Sequence, residues 1–188
     1  VLNLNDVLQK YLNPSSPDKV EREFHGVLFR ENDKVMQIKN NYQLKWKKYN
    51  PYGDVCEEGE GVFNGDSGVI RTISALTESV TVEFEEGKVA EYEFSEMEEL
   101  ELAYAITIHK SQGSEYPAVI IPLLSGPKML FNRNLLYTAV TRAKKCVTIV
   151  GSRRMVDQMI CNINEKKRYS SLCQRIQELE VADAGMLS

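Results

Sequence analysis

The sequence predicts an α/β protein that carries a small antiparallel β-sheet as an insert, and two patterns lead to this prediction. Towards the C-terminus, strands predicted at 119–121 and 146–150 flank a helix predicted at 132–144, an alternation typical of α/β folds. In the middle of the chain, apolar and polar residues alternate at 80–84 and 90–94, as in antiparallel strands with one buried face. We therefore expect an α/β body interrupted by a small β module.

Length and composition are those of an ordinary globular protein. The 188 residues can bury one good core, or one core and a small satellite, and the fractions of 43% hydrophobic and 27% charged residues are unexceptional. The net charge of −4 excludes a chain that is polybasic throughout, but bases cluster at 45–48 and 142–145, so we expect a local positive groove. No apolar run reaches about 18 residues, so no membrane span is predicted.

The termini and the cysteines suggest a cytoplasmic setting. The start has no signal-peptide pattern, and a first residue of Val1 rather than Met indicates a fragment. The four cysteines are far apart and lack the spacing of a zinc site, so we expect free, buried or half-buried thiols in a reducing cytoplasm and no metal ligands; they are Cys56, Cys146, Cys161 and Cys173.

The first 60 residues read as a helix, a strand and a loop. Residues 1–13 carry an apolar stripe at helical spacing, which predicts a helix packed through that stripe; its members are Leu4, Val7, Leu8, Tyr11 and Leu12. A strand is predicted at 33–39. Residues 43–60 are predicted to form a loop in which Trp46, Tyr49 and Tyr52 lie among lysines, either stacking on nucleotides or packing back on the domain.

From Gly61 the pattern changes to short strands with tight turns, predicted at 69–73, 80–84 and 90–94. Three such strands form a small antiparallel sheet with one apolar face. The acids at 83–86 argue against strong phosphate binding there, and contact with a protein partner is the alternative.

The stretch at 103–115 is the first candidate site. Leu102, Tyr104 and Ile106 alternate with small residues, which predicts a buried strand that ends before His109. Polar and small side chains then follow up to Glu115. Ligands of open α/β sheets bind at the carboxyl ends of strands, and hydroxyl, amide, lysine and backbone N–H donors suit phosphate. We expect a nucleotide or a nucleic-acid backbone there.

The second candidate stretch, at 134–151, contains Tyr137 to Thr141, then Arg142, and ends in an apolar strand. Together the two stretches resemble motifs V and VI of RecD-like superfamily 1 DNA helicases, the family of the exodeoxyribonuclease V alpha chain. The resemblance implies a RecA-like (P-loop-type) second motor domain, called 2A, formed by 1–60 and 98–188. It also implies an inserted SH3-like β-barrel, called 2B, at 61–97.

The same resemblance implies roles for individual residues. Arg142 would be the catalytic arginine finger, which contacts the γ-phosphate of ATP held by a preceding motor domain. Gln112, Gly113 and Glu115 would join it in binding the nucleotide. The residues assigned to DNA are Thr107, His109, Lys110, Ser111, Asn41 and Thr138.

Two of these assignments have alternatives in the residues themselves. The predicted helix 132–144 places Arg142 near the edge of the buried face, where it is either a finger across a cleft or a surface arginine paired with a glutamate. Gln37, Asn41 and Tyr42 either touch nucleic acid or simply end a strand and form a turn.

No Gly-x-x-x-x-Gly-Lys-[Ser/Thr] motif occurs anywhere in the sequence, so the chain is not expected to bind Mg-ATP by itself. The expected function is therefore the C-terminal part of an ATP-dependent 5′-to-3′ DNA helicase in recombination and repair, which hydrolyses ATP with Mg²⁺ only in the full-length enzyme. Expected partners are single-stranded and duplex DNA, the upstream RecA-like domain and, by the resemblance, other exodeoxyribonuclease V subunits.

Two rival functions stay open. One is a non-catalytic protein- or nucleic-acid-binding module, which predicts that residues 107–115 are buried or scattered. The other is a related motor that acts in conjugation or on RNA.

Overall fold

The computed structural model describes residues 1–124, 130–163, 171, 175 and 176. The elements are, in chain order, α1 (Leu2–Leu12), β1 (Glu21–Phe24), β2 (Val27–Arg30), β3 (Lys34–Gln37), β4 (Asn41–Tyr49), β5 (Val55–Val62), β6 (Ser67–Ser74), β7 (Ser79–Phe84), β8 (Val89–Glu93), β9 (Leu100–Leu102), β10 (Tyr116–Leu123), α2 (Arg133–Val140), β11 (Ala143–Gly151) and α3 (Arg153–Cys161). Short 3₁₀ helices span Glu85–Gly87 and Phe94–Glu99. The spacing of Leu172, Ile176 and Leu179 predicts one more helix, of which only Arg175 and Ile176 lie among the described residues.

The chain divides into two compact units, one formed by 1–121 with 138–148 and the other by 122–137 with 149–188. The first unit contains a seven-stranded sheet in the order β5-β4-β8-β7-β6-β3-β9, in which neighbouring strands pair antiparallel. The candidate site residues named above all belong to this unit.

The alternation in the middle of the sequence forms strands as predicted. β7 and β8 pair so that Val80 faces Tyr92 and Val82 faces Ala90, and all four side chains are at most 1% exposed. Burial of these apolar side chains against the rest of the sheet is the main stabilising contribution to this unit. Phe29 and Met97 belong to the same hydrophobic core.

The prediction of a loop at 43–60 is wrong, since these residues form most of the hairpin β4–β5. Charged and polar side chains interrupt the apolar ones, so the apolar alternation of a strand is absent from the sequence. Cross-strand pairs of opposite charge take its place: Lys45 faces Glu60, Lys47 faces Glu58 and Lys48 faces Glu57. Such pairs contribute modestly to a ladder whose backbone hydrogen bonds are already made.

The sheet runs across residue 61, where the sequence placed the start of the β insert, because β3, β4 and β5 precede that residue and β6 to β9 follow it. The only other described strands besides the hairpin β1–β2 are β10 and β11, which form a two-stranded sheet. A RecA-like lobe made of 1–60 and 98–188 stays a prediction.

The first helix forms where it was predicted, but it packs through the opposite face. Asn5 and Gln9 are its buried residues, whereas Val7 is 48% exposed and Tyr11 is 82% exposed. Hydrogen bonds from the buried amides, described below, offset the cost of burying polar groups on this face. The apolar stripe was a correct signal of a helix and a wrong signal of which side packs inward.

The C-terminal elements also differ from their predicted ends. β10 continues through Pro122, the residue predicted to end the strand, and α2 ends at Val140 instead of 144. β11 was predicted to be a buried strand, but most of its side chains are exposed in this chain. Within the second unit, a Cβ on Gly151 would lie 2.1 Å from the carbonyl oxygen of Leu123, so only glycine fits there.

Three of the four cysteines lie among the described residues, and Cys56, Cys146 and Cys161 are free and exposed. The expectation of buried or half-buried thiols is therefore wrong for these three. In the part of the chain that is described, none of the helices combines the length and the apolar character needed to span a membrane.

Two tyrosines, the buried Tyr92 and the half-buried Tyr104, make the first unit sensitive to alkaline pH. Burial raises the pKa of Tyr92 and of Tyr104, and the hydrogen bond to Asp33 adds to the effect at Tyr104. Their neutral forms stabilise the fold below the ordinary tyrosine pKa of about 10, and this contribution is lost as the pH rises further. We expect the urea midpoint, measured by the fluorescence of Trp46, to decrease as the pH is raised from about 9 to about 11.

The variant Tyr92→Phe should show a smaller fall over this range, since it has one ionisable buried group fewer. Tyr52→Phe is the control because Tyr52 is 91% exposed. An equal fall in wild type and Tyr92→Phe would contradict the assignment.

Candidate nucleic-acid and nucleotide site

The stretch from Thr107 to Glu115 is a series of tight turns that follows β9, and the strand predicted to reach residue 107 ends at Leu102. The turns are closed by backbone hydrogen bonds from Ser111 N to Thr107 O (3.1 Å) and from Ser114 N to Ser111 O (3.2 Å). We call residues 107–115 the turn loop. A chain of turns exposes side chains and N–H groups in a way that a strand within a sheet does not.

The side chain of Asn5 explains why β9 is short. Its Nδ2 donates to the carbonyl of Leu102 (2.8 Å), and its Oδ1 accepts from the backbone N–H of Ala105 (2.6 Å). These are the groups that another strand would have paired with. The N–H of Ala103 donates to Lys34 O (2.8 Å), so the entry to the turn loop is fixed from both sides.

Asp33 is the centre of a buried polar network that holds the same entry. Its carboxylate is fully buried and accepts four hydrogen bonds. Oδ1 accepts from Asn13 (2.7 Å) and from the Tyr104 hydroxyl (2.8 Å), and Oδ2 accepts from Gln9 (2.5 Å) and from the backbone N–H of Arg30 (2.7 Å). A buried carboxylate is tolerated only when it is satisfied in this way. The network ties α1, the end of β2 and the approach to the turn loop together.

Sequence reasoning missed this network, although a signal for it exists. Asn5, Gln9 and Asn13 recur every four residues, which places three amides on one face of α1. Since apolar stripes are far more often the buried ones, the amide stripe was passed over.

Within the turn loop, the side chains assigned to DNA differ in their accessibility. Thr107 and His109 are exposed. Lys110 is half-buried, and its ammonium pairs with Glu101 at 2.5 Å, so phosphate binding by Lys110 requires exchange of this partner. Ser111 is 6% exposed, and its hydroxyl donates to Ile108 O (2.7 Å), which makes it a turn-stabilising residue in this structure.

The residues assigned to the nucleotide follow directly. Gln112, Gly113 and Glu115 are exposed, and Gly113 has a φ of 90°, a conformation that favours glycine. The carboxylate of Glu115 lies 3.3 Å from the ammonium of Lys144, and both side chains are more than half exposed. An exposed pair of this kind is weak and can be exchanged for a ligand.

Arg142 does not lie on a helix, contrary to the prediction, but in the turn between α2 and β11. Its guanidinium donates to the carbonyls of Thr138 (3.2 Å) and Ser114 (3.2 Å) and to the hydroxyl of Thr141 (3.3 Å). Among the described residues it has no ion pair with a carboxylate, so the surface arginine paired with a glutamate is not what the structure has. A half-buried cation held by three neutral oxygens keeps its charge available for an anion.

Arg142 and the turn loop are in direct contact. Besides the bond from Arg142 to Ser114 O, the N–H of Tyr116 donates to the carbonyl of Arg142 (2.8 Å). The arginine therefore lies beside residues 113–116, where the nucleotide-binding assignments fall. Thr138, assigned to DNA, contributes its backbone carbonyl to the same guanidinium.

Asn41 lies at the start of β4 and has its own set of partners. Its Nδ2 donates to Glu99 (3.0 Å), and its Oδ1 accepts from the backbone N–H groups of Gln43 (3.2 Å) and Leu44 (3.0 Å). These bonds shape the turn into β4, in agreement with the alternative that Asn41 helps to form a turn. A contact of Asn41 with DNA stays a prediction.

Comparison with known proteins places both parts of the chain among helicases. A family model described as the SH3 domain of ATP-dependent RecD-like DNA helicases matches residues 4–84. A second model, described as the UvrD-like helicase C-terminal domain, matches residues 102–150, which include the turn loop and Arg142. The chain thus combines a helicase SH3 domain with a helicase C-terminal domain.

Two of the similar relatives carry names of this class. The ATP-dependent RecD2 DNA helicase of Deinococcus radiodurans is 31% identical over 175 residues, which are 93% of this chain and 21% of that protein. The RecBCD enzyme subunit RecD of Mycobacterium tuberculosis is 36% identical over 119 residues, 63% of this chain and 20% of that subunit. An uncharacterized protein of Methanocaldococcus jannaschii is 35% identical over 143 residues, 72% of this chain and 12% of that protein.

The chain belongs to the RecD-like DNA helicases, as the resemblance of its two motifs implied. It spans about a fifth or less of the length of these curated relatives.

Proposed function

We propose that this chain is the C-terminal motor part of an ATP-dependent helicase that moves 5′ to 3′ along single-stranded DNA and unwinds duplex DNA in recombination and repair. Within that enzyme the turn loop contacts the DNA backbone through Thr107, His109 and Lys110. Arg142 is the arginine finger for ATP bound, with Mg²⁺, by an upstream RecA-like domain. The family membership supports the enzyme class, and the residue roles are our proposal.

The observation that carries the proposal is the state of Arg142. An arginine with a structural role usually ends on a carboxylate, as Arg71 does on Glu83 at 2.6 Å. Arg142 instead makes three long bonds to neutral acceptors beside an exposed loop. Giving up these bonds costs little compared with what a planar, doubly donating cation gains at a phosphate.

The donors that are present support an ATP site whose groups come from two lobes. Arg142, Gln112 and the backbone around Gly113 are donors suited to phosphate oxygens. The phosphate-cradling Gly-rich loop with its lysine is missing from the sequence. The chain therefore supplies a group that stabilises negative charge as it develops in the transition state, while another lobe holds the ground-state nucleotide.

The rival of a non-catalytic scaffold requires that the turn loop be buried or its residues scattered. His109, Gln112 and Glu115 are exposed, and the loop contacts Arg142 through Ser114. This grouping favours the motor. The names of several relatives, which are RecBCD subunits, support other exodeoxyribonuclease V subunits as partners of the parent protein.

The test compares the purified 188-residue chain with the full-length protein. We expect the chain to show no measurable ATP hydrolysis with or without single-stranded DNA. The full-length protein should hydrolyse ATP faster with single-stranded DNA and unwind a duplex that carries a 5′ tail.

Three results would count against the proposal. DNA-stimulated hydrolysis by the chain would refute the ATP site formed by two lobes, and its absence in the full-length protein would refute the motor. Preference for a 3′ tail would refute the polarity. Faster unwinding of a matched RNA duplex than of the DNA duplex would indicate a motor that acts on RNA.

A further inference from the structure

Two aromatic side chains of the SH3 part are left on the surface as a pair. Tyr42, at the start of β4, is 67% exposed, and Phe63, just after β5, is 44% exposed. Their ring centroids are 5.5 Å apart, and the planes are inclined by 70° in an edge-to-face arrangement. Each partner of such a pair keeps a ring face that can accept a further flat group.

The pair is held in place before any ligand binds. The ring of Phe63 packs over Gly61, where a Cβ would lie 3.0 Å from Cζ of the ring and the φ of 99° favours glycine. Asn40 joins the two turns that carry the aromatics, because its Oδ1 accepts from Asn64 N (2.9 Å) and its Nδ2 lies 3.4 Å from the Tyr42 hydroxyl. Side chains fixed in this way lose little entropy on binding.

The turn that follows Phe63 approaches the turn loop. The β5–β6 turn that follows Phe63 reaches the loop at Gly65, where a Cβ would lie 4.0 Å from the carbonyl oxygen of Lys110. The same turn is anchored by the bond from Gly65 N to Gln37 O (2.9 Å). A single strand of DNA whose backbone follows Thr107 to Lys110 can therefore bring its bases to Tyr42 and Phe63.

Charged side chains around the pair are already engaged within the protein. Asp66 accepts from Phe63 N (2.9 Å), Glu99 accepts from Gln37 (2.8 Å), and Lys39 pairs with Glu98 at 2.6 Å. Lys39 and Glu98 are both about half exposed, so this ion pair is weak and can be exchanged, whereas the aromatic pair itself offers only ring faces to a ligand. Its chemistry selects flat, apolar rings such as nucleobases.

The other aromatics considered for stacking are less suited. Trp46 packs against Gly59, and its ring is covered by the ammonium groups of Lys48 and Lys88, at 5.6 and 5.4 Å from its centroid. Tyr52 is 91% exposed, but it lies in the β4–β5 connection, and in that hairpin the lysines face glutamates across the strands.

We propose that Tyr42 and Phe63 form a stacking platform for unpaired bases of the single-stranded DNA whose backbone is held by the turn loop. The proposal rests on the proposed function, since it names the part of the SH3 domain that shares the same DNA strand. It assigns to Tyr42 a direct contact with nucleobases, and to Asn41 the shaping of the turn beneath it.

The test measures the affinity of the full-length protein for a fluorescently labelled oligothymidine by anisotropy, without nucleotide. Removal of one stacking ring is expected to weaken binding about fivefold to a hundredfold, so Tyr42→Ala and Phe63→Ala should each fall in this range. Tyr42→Trp keeps a ring face and should bind like wild type. Tyr52→Ala is the matched control and should also bind like wild type.

An abasic oligonucleotide of the same length separates stacking from a change of fold. It offers the backbone without bases, so wild type and Tyr42→Ala should bind it equally well. Equal loss of affinity for both oligonucleotides, or no loss at all, overturns the platform. If wild type binds no single-stranded DNA, the proposed function fails; if wild type binds DNA and Tyr42→Ala binds it equally well, only the platform fails.

Discussion

Replacing Arg142 by alanine in the full-length protein is expected to lower the turnover of ATP by about 10³–10⁵-fold and to leave the affinity for ATP nearly unchanged. Within the described part of the chain, the Arg142 guanidinium has no carboxylate partner, and it donates long bonds to Thr138, Thr141 and Ser114. In the proposed role, this cation binds a phosphate only as negative charge develops on it. An interaction made only in the transition state affects turnover and spares ground-state binding.

The measurement is steady-state ATP hydrolysis at saturating single-stranded DNA, together with nucleotide affinity by equilibrium titration. Arg142→Lys keeps the charge but loses the planar fork, so it should stay close to the alanine variant. Lys145→Ala removes an exposed cation three residues further on and should change turnover little. Turnover of Arg142→Ala within a few-fold of wild type would remove the finger assignment.

Replacing Asp33 by alanine is expected to destabilise the first unit by about 3–5 kcal/mol. The substitution removes the acceptor of the Tyr104 hydroxyl and of the Arg30 backbone N–H, and it removes one of the two acceptors of each amide nitrogen of Gln9 and Asn13. Each buried unsatisfied group costs roughly 1–3 kcal/mol, and partial rearrangement or entry of water lowers the sum. Asp33→Asn should also be harmful, because its amide turns a donor towards groups that need an acceptor.

Urea unfolding of the 188-residue chain measures this effect, with the fluorescence of Trp46 as the signal. Trp46 is the single tryptophan of the sequence and lies in β4, so it reports on the seven-stranded sheet. Asp6→Ala is the matched control, since Asp6 is exposed on the same helix that supplies Gln9, and it should change stability by less than about 0.5 kcal/mol. A free energy of unfolding for Asp33→Ala within that margin of wild type would contradict the role of the network.

The parts of the fold that could be predicted are those where one physical signal dominates. β7 and β8 show strict alternation, and their inward residues Val80, Val82 and Tyr92 are buried as expected. β4 and β5 could not be found in this way, because cross-strand charge pairs such as Lys47 with Glu58 stand where apolar alternation was sought. That pairing depends on a register that only the folded chain reveals.

The candidate site shows the same limit. The residue types at 107–115 and at Arg142 pointed to a helicase family, and the comparisons support that family. Their local structure was predicted incorrectly, because the strand to residue 107 and the helix to residue 144 were extended from apolar spacing alone. Asn5 ends the strand through its side chain, a long-range contact across about a hundred residues that no local pattern contains.

The amide of Asn5 has a consequence for where this chain can be divided. Asn5 belongs to the region matched as the SH3 domain, while its partners Leu102 and Ala105 belong to the region matched as the helicase C-terminal domain. If the two matched regions were separated at their border, the buried amide of Asn5 would lose its partners. The carbonyl of Leu102 and the N–H of Ala105 would lose theirs as well. In this chain, the segment from α1 to at least residue 105 is therefore joined by hydrogen bonds, and a domain exchange with a relative has to transfer this whole segment.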